Sequence, residues 1–150
     1  MGVNNLPQQV TSYNALVDLA VNVLDPVIDY FGMVRLTYGF CSHELSKRVP
    51  GRNDPKLDQH SSYEVNSKGG LICRRGGAAV DFIVEDEDMK EVAQWIVRNC
   101  PFDRLYFYGS SSPLHVSYSG TNTLQVIDLT NESIKGVRLP RVVTTEQFLA

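Results

Sequence analysis

The chain has three histidines, His43, His60 and His115, and two of them stand in contexts that ask for a partner. His115 lies in Leu114-His115-Val116, an apolar strand in which each ring nitrogen needs something to bond. His60 stands at the edge of a glycine-rich segment. Asp81 lies in Ala79-Val80-Asp81-Phe82-Ile83, a carboxylate inside an apolar run, which is costly unless it is paired or bound to a metal. Two neutral imidazoles and one carboxylate on a divalent zinc leave a net positive charge and one open position for water. That donor set is the composition of a catalytic zinc site, whereas a closed structural site uses four protein ligands, often thiolates. A histidine taken singly is more often an ordinary surface or core residue, so the expectation of a Zn2+ site rests on the three contexts together.

These residues need elements to hold them. Residues 78–84 read as a buried strand carrying Asp81. Residues 105–108 and 114–118 read as two strands joined by the turn 109–113, the second carrying His115. A helix is expected from about residue 13, capped by Thr11 or Ser12, because Leu16, Leu19, Ala20, Val23 and Leu24 recur at helical spacing. Asp25-Pro26 is expected to break or restart it, with Val27, Ile28 and Phe31 carrying the apolar face on to Gly32. Residues 34–38 have strand character, and residues 42–48 suit a short helix capped by Ser42. Acids at 85–88 open a helix that buries Met89, Val92, Ala93, Ile96 and Val97 and stops near Asn99. Residues 124–129 suit a further strand, and the tail from Asn131 shows no clear pattern. Two main helices beside a mostly antiparallel sheet predict one α+β domain over 1–150. Residues 49–77 are irregular, with Pro50, Gly51, Asn53, Asp54 and Pro55 followed by Gly69-Gly70 and Gly76-Gly77. Within them, residues 61–76 are expected to form a mobile lid over the metal pocket, since glycines and polar residues offer little to a core.

Composition narrows the function classes. Hydrophobic residues make up 43% and charged residues 21% of the 150 positions, which suits a globular domain with a real core. A net charge of -3 gives no basic footprint, so nucleic acid is not an expected partner. No apolar stretch approaches the roughly 20 residues a bilayer requires, and the start shows no signal-peptide pattern. Cys41, Cys73 and Cys100 are odd in number and form no Cys-x-x-Cys pair, which argues for a reducing compartment and a cytoplasmic protein.

At the candidate ligands the chain resembles the zinc D-alanyl-D-alanine carboxypeptidase family. That family includes D-Ala-D-Ala dipeptidases and phage L-alanyl-D-glutamate endolysins, and it shares its fold with the hedgehog signalling domain. Three blocks match in order. Gly39-Phe40-Cys41-Ser42-His43-Glu44-Leu45-Ser46 resembles the family's Gly-Tyr-Arg-Ser-x-x-Leu-Asn block. Gln59-His60 and Gly77-Ala78-Ala79-Val80-Asp81 resemble the halves of its His-x-x-Gly-x-Ala-x-Asp motif. Asp103-Arg104-Leu105-Tyr106 and Pro113-Leu114-His115-Val116-Ser117-Tyr118 resemble its final strand pair. The resemblance implies His60, Asp81 and His115 as zinc ligands, leaves His43 out, and implies hydrolysis of a peptide or amide bond in cell-wall material. A small peptide or other small molecule is then the expected partner.

The departures fall on the catalytic positions. Cys41 stands where the family has a substrate-binding Arg. The family's general-base Glu has no counterpart, since Ser112 and Phe107 or Tyr108 hold its two alternative places. His60 and Asp81 are 21 residues apart where the motif spaces them seven, so an insert separates them. A base and an oxyanion cation are each worth orders of magnitude in rate, and the insert offers replacements: Glu64 as base, Arg75 or Arg74 as cation. Cys41, Ser42, Arg74, Tyr108 and Ser112 are the expected substrate-side residues, although a free Cys is most often a small buried apolar residue. Two other functions compete. One is an inactive zinc-bearing binding module with a protein partner. The other is a zinc hydrolase turned to a phosphate-bearing substrate read by Arg74 and Arg75.

Overall fold

The computed structural model describes residues 2–49, 54 and 56–150. Four of the expected turn formers, Pro50, Gly51, Asn53 and Pro55, lie outside the described residues. The first long helix runs through α1 (Val10–Leu19), a π-helical turn (Ala20–Leu24) and α2 (Asp25–Phe31). Next come β1 (Val34–Tyr38), the short α3 (His43–Ser46) and a 3-10 turn (Gln59–Ser61). Then follow β2 (Ala78–Val84), α4 (Met89–Asn99), β3 (Arg104–Phe107) and β4 (Leu114–Tyr118). The chain closes with β5 (Gln125–Asp128), β6 (Arg141–Val143) and α5 (Thr145–Leu149). The strands form one six-stranded sheet in the order β1-β2-β4-β3-β5-β6. Every pair is antiparallel except β3 with β5. The protein is an α+β fold with two main helices.

Alternation decides which face of the sheet meets the helices. Val80, Phe82 and Val84 of β2, Leu105 and Phe107 of β3, and Leu114 and Val116 of β4 pack into one core. Ala15, Leu19, Val23 and Val27 of the first helix and Met89, Val92, Ala93 and Ile96 of α4 cover them. The residues between, Asp81, Tyr106 and His115, therefore point to the opposite face. No helix among the described residues is long and apolar enough to cross a membrane.

At Asp25-Pro26 the helix restarts, as expected: α2 begins at Asp25 with Pro26 in its first turn. A proline has no N–H to donate, and its ring crowds the carbonyl four residues back. Here the Asp25 N–H bonds the Ala20 carbonyl, a five-residue step that widens the turn and lets the helix continue. Its start differs from expectation. The helix begins at Val10, with Gln9 at the cap making no side-chain cap bond. The cap comes from 52 residues away: Glu64 Oε2 accepts from Ser12 Oγ at 2.6 Å, and the carboxylate also accepts from the backbone of Gln8 (2.8 Å) and Gln9 (3.2 Å). An anion suits that end of a helix.

The segment expected as a mobile lid is tied down. Val65 and Leu71 form a bridge, and Ile72 N–H bonds the Glu64 carbonyl at 3.0 Å. Ser62, Ile72 and Cys73 are buried, so this stretch contributes to the interior despite its glycines. The tail, which shows no clear pattern in sequence, forms β6 and α5. Thr144 and Gln147 make a reciprocal capping box at the start of α5.

Candidate metal centre

Strand register puts the site in one row. Tyr38 of β1 pairs with Asp81 of β2, Asp81 with His115 of β4, and His115 with Tyr106 of β3. Directly opposed residues share a face, so these four side chains line one line across the sheet. His60 arrives from the 3-10 turn, where Asp58 caps the turn by accepting from His60 N at 3.0 Å. Two backbone bonds fix its place beside the end of β1. Cys41 N–H donates to the His60 carbonyl at 2.9 Å, and the His60 ring lies 2.9 Å from the Gly39 carbonyl through Nδ1.

His60, Asp81 and His115 form a group that can hold a metal ion, their ligand atoms all within 4.8 Å of one another. His60 Nε2 lies 3.1 Å and His115 Nδ1 2.8 Å from Asp81 Oδ1. The carbonyl of Gly39 only accepts, so Nδ1 of His60 carries a proton. His60 Nε2 faces the Asp81 carboxylate oxygen, and that contact needs a proton or a cation between the two atoms. Burial pushes the Asp81 carboxyl up, but hydrogen bonds from His115 and His60 outweigh it and hold the group well below the usual carboxylate range. Burial depresses the His115 pKa against the pull of Asp81, which favours the neutral ring that binds metals. The rings pack closely: Tyr38 lies edge-on to His60 at 4.5 Å, and Tyr106 stacks on His115 at 4.6 Å and 21°.

The other expected residues separate into two groups. Arg75 comes to the site: its Nη1 donates to Tyr106 Oη at 3.4 Å and to the Leu57 carbonyl at 3.5 Å, both neutral acceptors. Tyr108 follows Tyr106, and its ring carries the Arg138 guanidinium at 5.5 Å. Ser112 is half-buried in the turn before β4, its N–H bonded to Gly109. Cys41 is buried at 1% exposure beside the His60 backbone and is not part of the metal-holding group. Ser42 caps α3, accepting from Leu45 N at 3.2 Å. Arg74 is exposed, its backbone bonded to Lys56. Glu64 is the clearest departure from expectation. Its carboxylate caps α1 and lines a cavity with Gln8, Ser42 and His43 that includes none of the three metal-holding residues.

Two positioning residues escape the sequence reading. Gln59, buried next to His60, donates to the Gly76 carbonyl at 2.9 Å and to Asp103 Oδ2 at 2.8 Å. Asp103 also accepts from Thr123 Oγ1 at 2.7 Å and Arg104 Nη1 at 3.2 Å. The pair pins the 3-10 turn to the end of the insert and to the start of β3. An acid standing just before an apolar strand was the available signal. Comparison with protein-family models, with curated proteins and with solved structures finds no match for this chain.

Proposed function

We propose that this protein is a zinc-dependent hydrolase acting on a peptide or related small amide, with His60, Asp81 and His115 as the metal ligands. One observation carries the reading: a ring nitrogen from each of His60 and His115 and a carboxylate oxygen of Asp81 converge within 4.8 Å, an arrangement that a divalent cation would complete. Zinc suits two imidazoles and one carboxylate with a fourth position free. The resemblance of the three ordered blocks to the zinc D-Ala-D-Ala carboxypeptidase family supports the hydrolytic assignment and a cell-wall peptide as the first substrate to try. When bound, zinc supplies Lewis acidity to the attacked carbonyl and to water. The chain supplies the rest. His60 and His115 are oriented by the Gly39 carbonyl and the Tyr106 ring. Arg75 donates to the hydroxyl of Tyr106, whose ring stacks on His115, and we assign this pair the part of steadying negative charge that develops on a substrate oxygen. With Glu64 committed to α1, a slow hydrolase is expected.

A second reading is a zinc-bearing binding module without turnover. The observation that favours it is that Glu64, the insert's candidate base, is engaged at the start of α1, while Cys41, at the family's Arg position, is buried and offers no cation. Metal analysis paired with assays on D-Ala-D-Ala dipeptides and cell-wall peptides separates the two. About one zinc per chain with turnover that falls at least roughly tenfold in Arg75→Ala supports the hydrolase. Zinc with no turnover supports the module, and protein that takes up no metal overturns both.

A further inference from the structure

A second cavity, of about 340 Å³, opens between α1 and the end of β4. Its walls include Thr11, Asn14 and Asp18 of α1, Tyr63 of the insert, Tyr118 of β4 and Asn122 beyond it. We propose that this cavity is a binding site for a neutral saccharide.

The lining argues for that class. It holds one charged side chain, Asp18, and no cation, which disfavours an anion. Asn14 and Asn122 carry amides, each with donors and an acceptor, which disfavours a purely apolar ligand. Asn122 Oδ1 is taken by Ser119 N–H at 3.0 Å, so its NH2 remains to donate. A sugar offers both demands at once: hydroxyls that give and take hydrogen bonds, and a ring face of C–H groups that matches the electron-rich face of a tyrosine. The two tyrosines are set by backbone. Tyr63 N–H donates to Ser12 Oγ at 3.0 Å, and its ring lies so close to Gly76 that a Cβ there would collide with it. Gly77, at φ 92°, lets the chain pass against the Tyr118 carbonyl, where a Cβ would also collide. Tyr63 and Ser119 are shared with an adjoining cavity of about 290 Å³ that contains Arg75, whose guanidinium reaches Tyr106 beside His115.

The proposal does not depend on hydrolysis, and its test is a binding measurement on the full chain. Titration of glucose, N-acetylglucosamine, cellobiose and maltose is followed by shifts of amide resonances. Saturable, millimolar binding of at least one, with the largest shifts at Tyr63, Tyr118 and Asn122, is the expected result. Asn14→Ala and Asp18→Asn change exposed positions of α1 and are expected to weaken it by roughly tenfold while leaving metal content unchanged. Choline tests the alternative that Asp18 and the tyrosines hold a cation. Saturation by choline with none by the sugars overturns the proposal. So does the absence of saturable sugar binding, or sugar binding indifferent to both substitutions.

Discussion

His60 is held by its Nδ1, which donates to the Gly39 carbonyl, and its Nε2 meets the Asp81 carboxylate. Burial disfavours the charged ring of His115, and the Asp81 carboxyl is held below its ordinary range, both of which suit donors to a metal. Replacing His60 or His115 by Ala is therefore expected to drop metal content from about one zinc per chain to near none, measured by elemental analysis after dialysis. Retention of full metal in either variant would sink the ligand set. Glu64 is argued from the opposite side, since the partners of its carboxylate lie at the start of α1. Glu64→Gln places an NH2 group against existing donors and is expected to cost about 1–2 kcal/mol in urea unfolding, with metal content and turnover unchanged. Loss of turnover at unchanged stability would restore Glu64 as a base. The three metal-holding residues were legible because each breaks the pattern of its surroundings: a carboxylate and an imidazole inside apolar strands, and a histidine beside turn formers. Glu64 was not, because nearness in sequence to His60 says little about which way a side chain turns after a 3-10 turn. Ser62, at φ 52°, follows that turn, and the chain beyond it runs back toward α1.

Elements hold these residues through a few contacts that tolerate little change. Gly77 is the tightest: its backbone is left-handed at φ 92°, and an added Cβ would strike the Tyr118 carbonyl of the neighbouring strand. Gly77→Ala is expected to destabilise the fold by about 3 kcal/mol, read from the urea midpoint, since strain and collision add. Asp103 sets a pH dependence. Burial alone would raise its pKa, but hydrogen bonds from Thr123 and Gln59 and the charge of Arg104 lower it below the ordinary carboxylate value. The stabilisation is then present above about pH 4, where an unfolded carboxylate is ionised, and is lost as pH falls through the lower folded value. Asp103→Asn is expected to cost about 1–3 kcal/mol at neutral pH and to flatten the loss of stability below pH ~4. A variant with an unchanged acid profile would show that another group governs it. The strands and α4 were legible because their apolar periods are strong. The restart at Asp25-Pro26 was legible too, but the π-helical turn that leads into it was not, because a proline marks the restart and says nothing of the turn before it. The anchoring of residues 61–76 was also hidden, since Gln59, Ser62 and Glu64 are polar residues whose burial depends on partners far along the chain.

At the scale of the molecule, the candidate metal centre joins parts that the chain brings together late. His60 belongs to the 3-10 turn before the insert, Asp81 to β2 and His115 to β4. The row containing Asp81 and His115 continues through Tyr106 to Ile127 of β5 and Val142 of β6, so one register runs from edge to edge of the sheet. A slip of one residue between β2 and β4 would turn Asp81 or His115 into the core and core residues outward. A metal bound only by the folded chain therefore favours the correct register along with the fold. At free zinc near 1,000 times its Kd, linkage adds about 4 kcal/mol to stability. For a chain of 150 residues that corresponds to a rise in melting temperature of roughly 10 °C. Melting curves in excess zinc and after chelation are expected to differ by about that amount, and the difference is expected to vanish in His115→Ala. Amides of β2 and β4 around the site, which the metal joins to the turn, are expected to lose hydrogen-exchange protection first on chelation, ahead of those in α4. Identical melting with and without chelator would mean that the two imidazoles and the carboxylate hold one another through a proton alone, and the zinc assignment would fall with it.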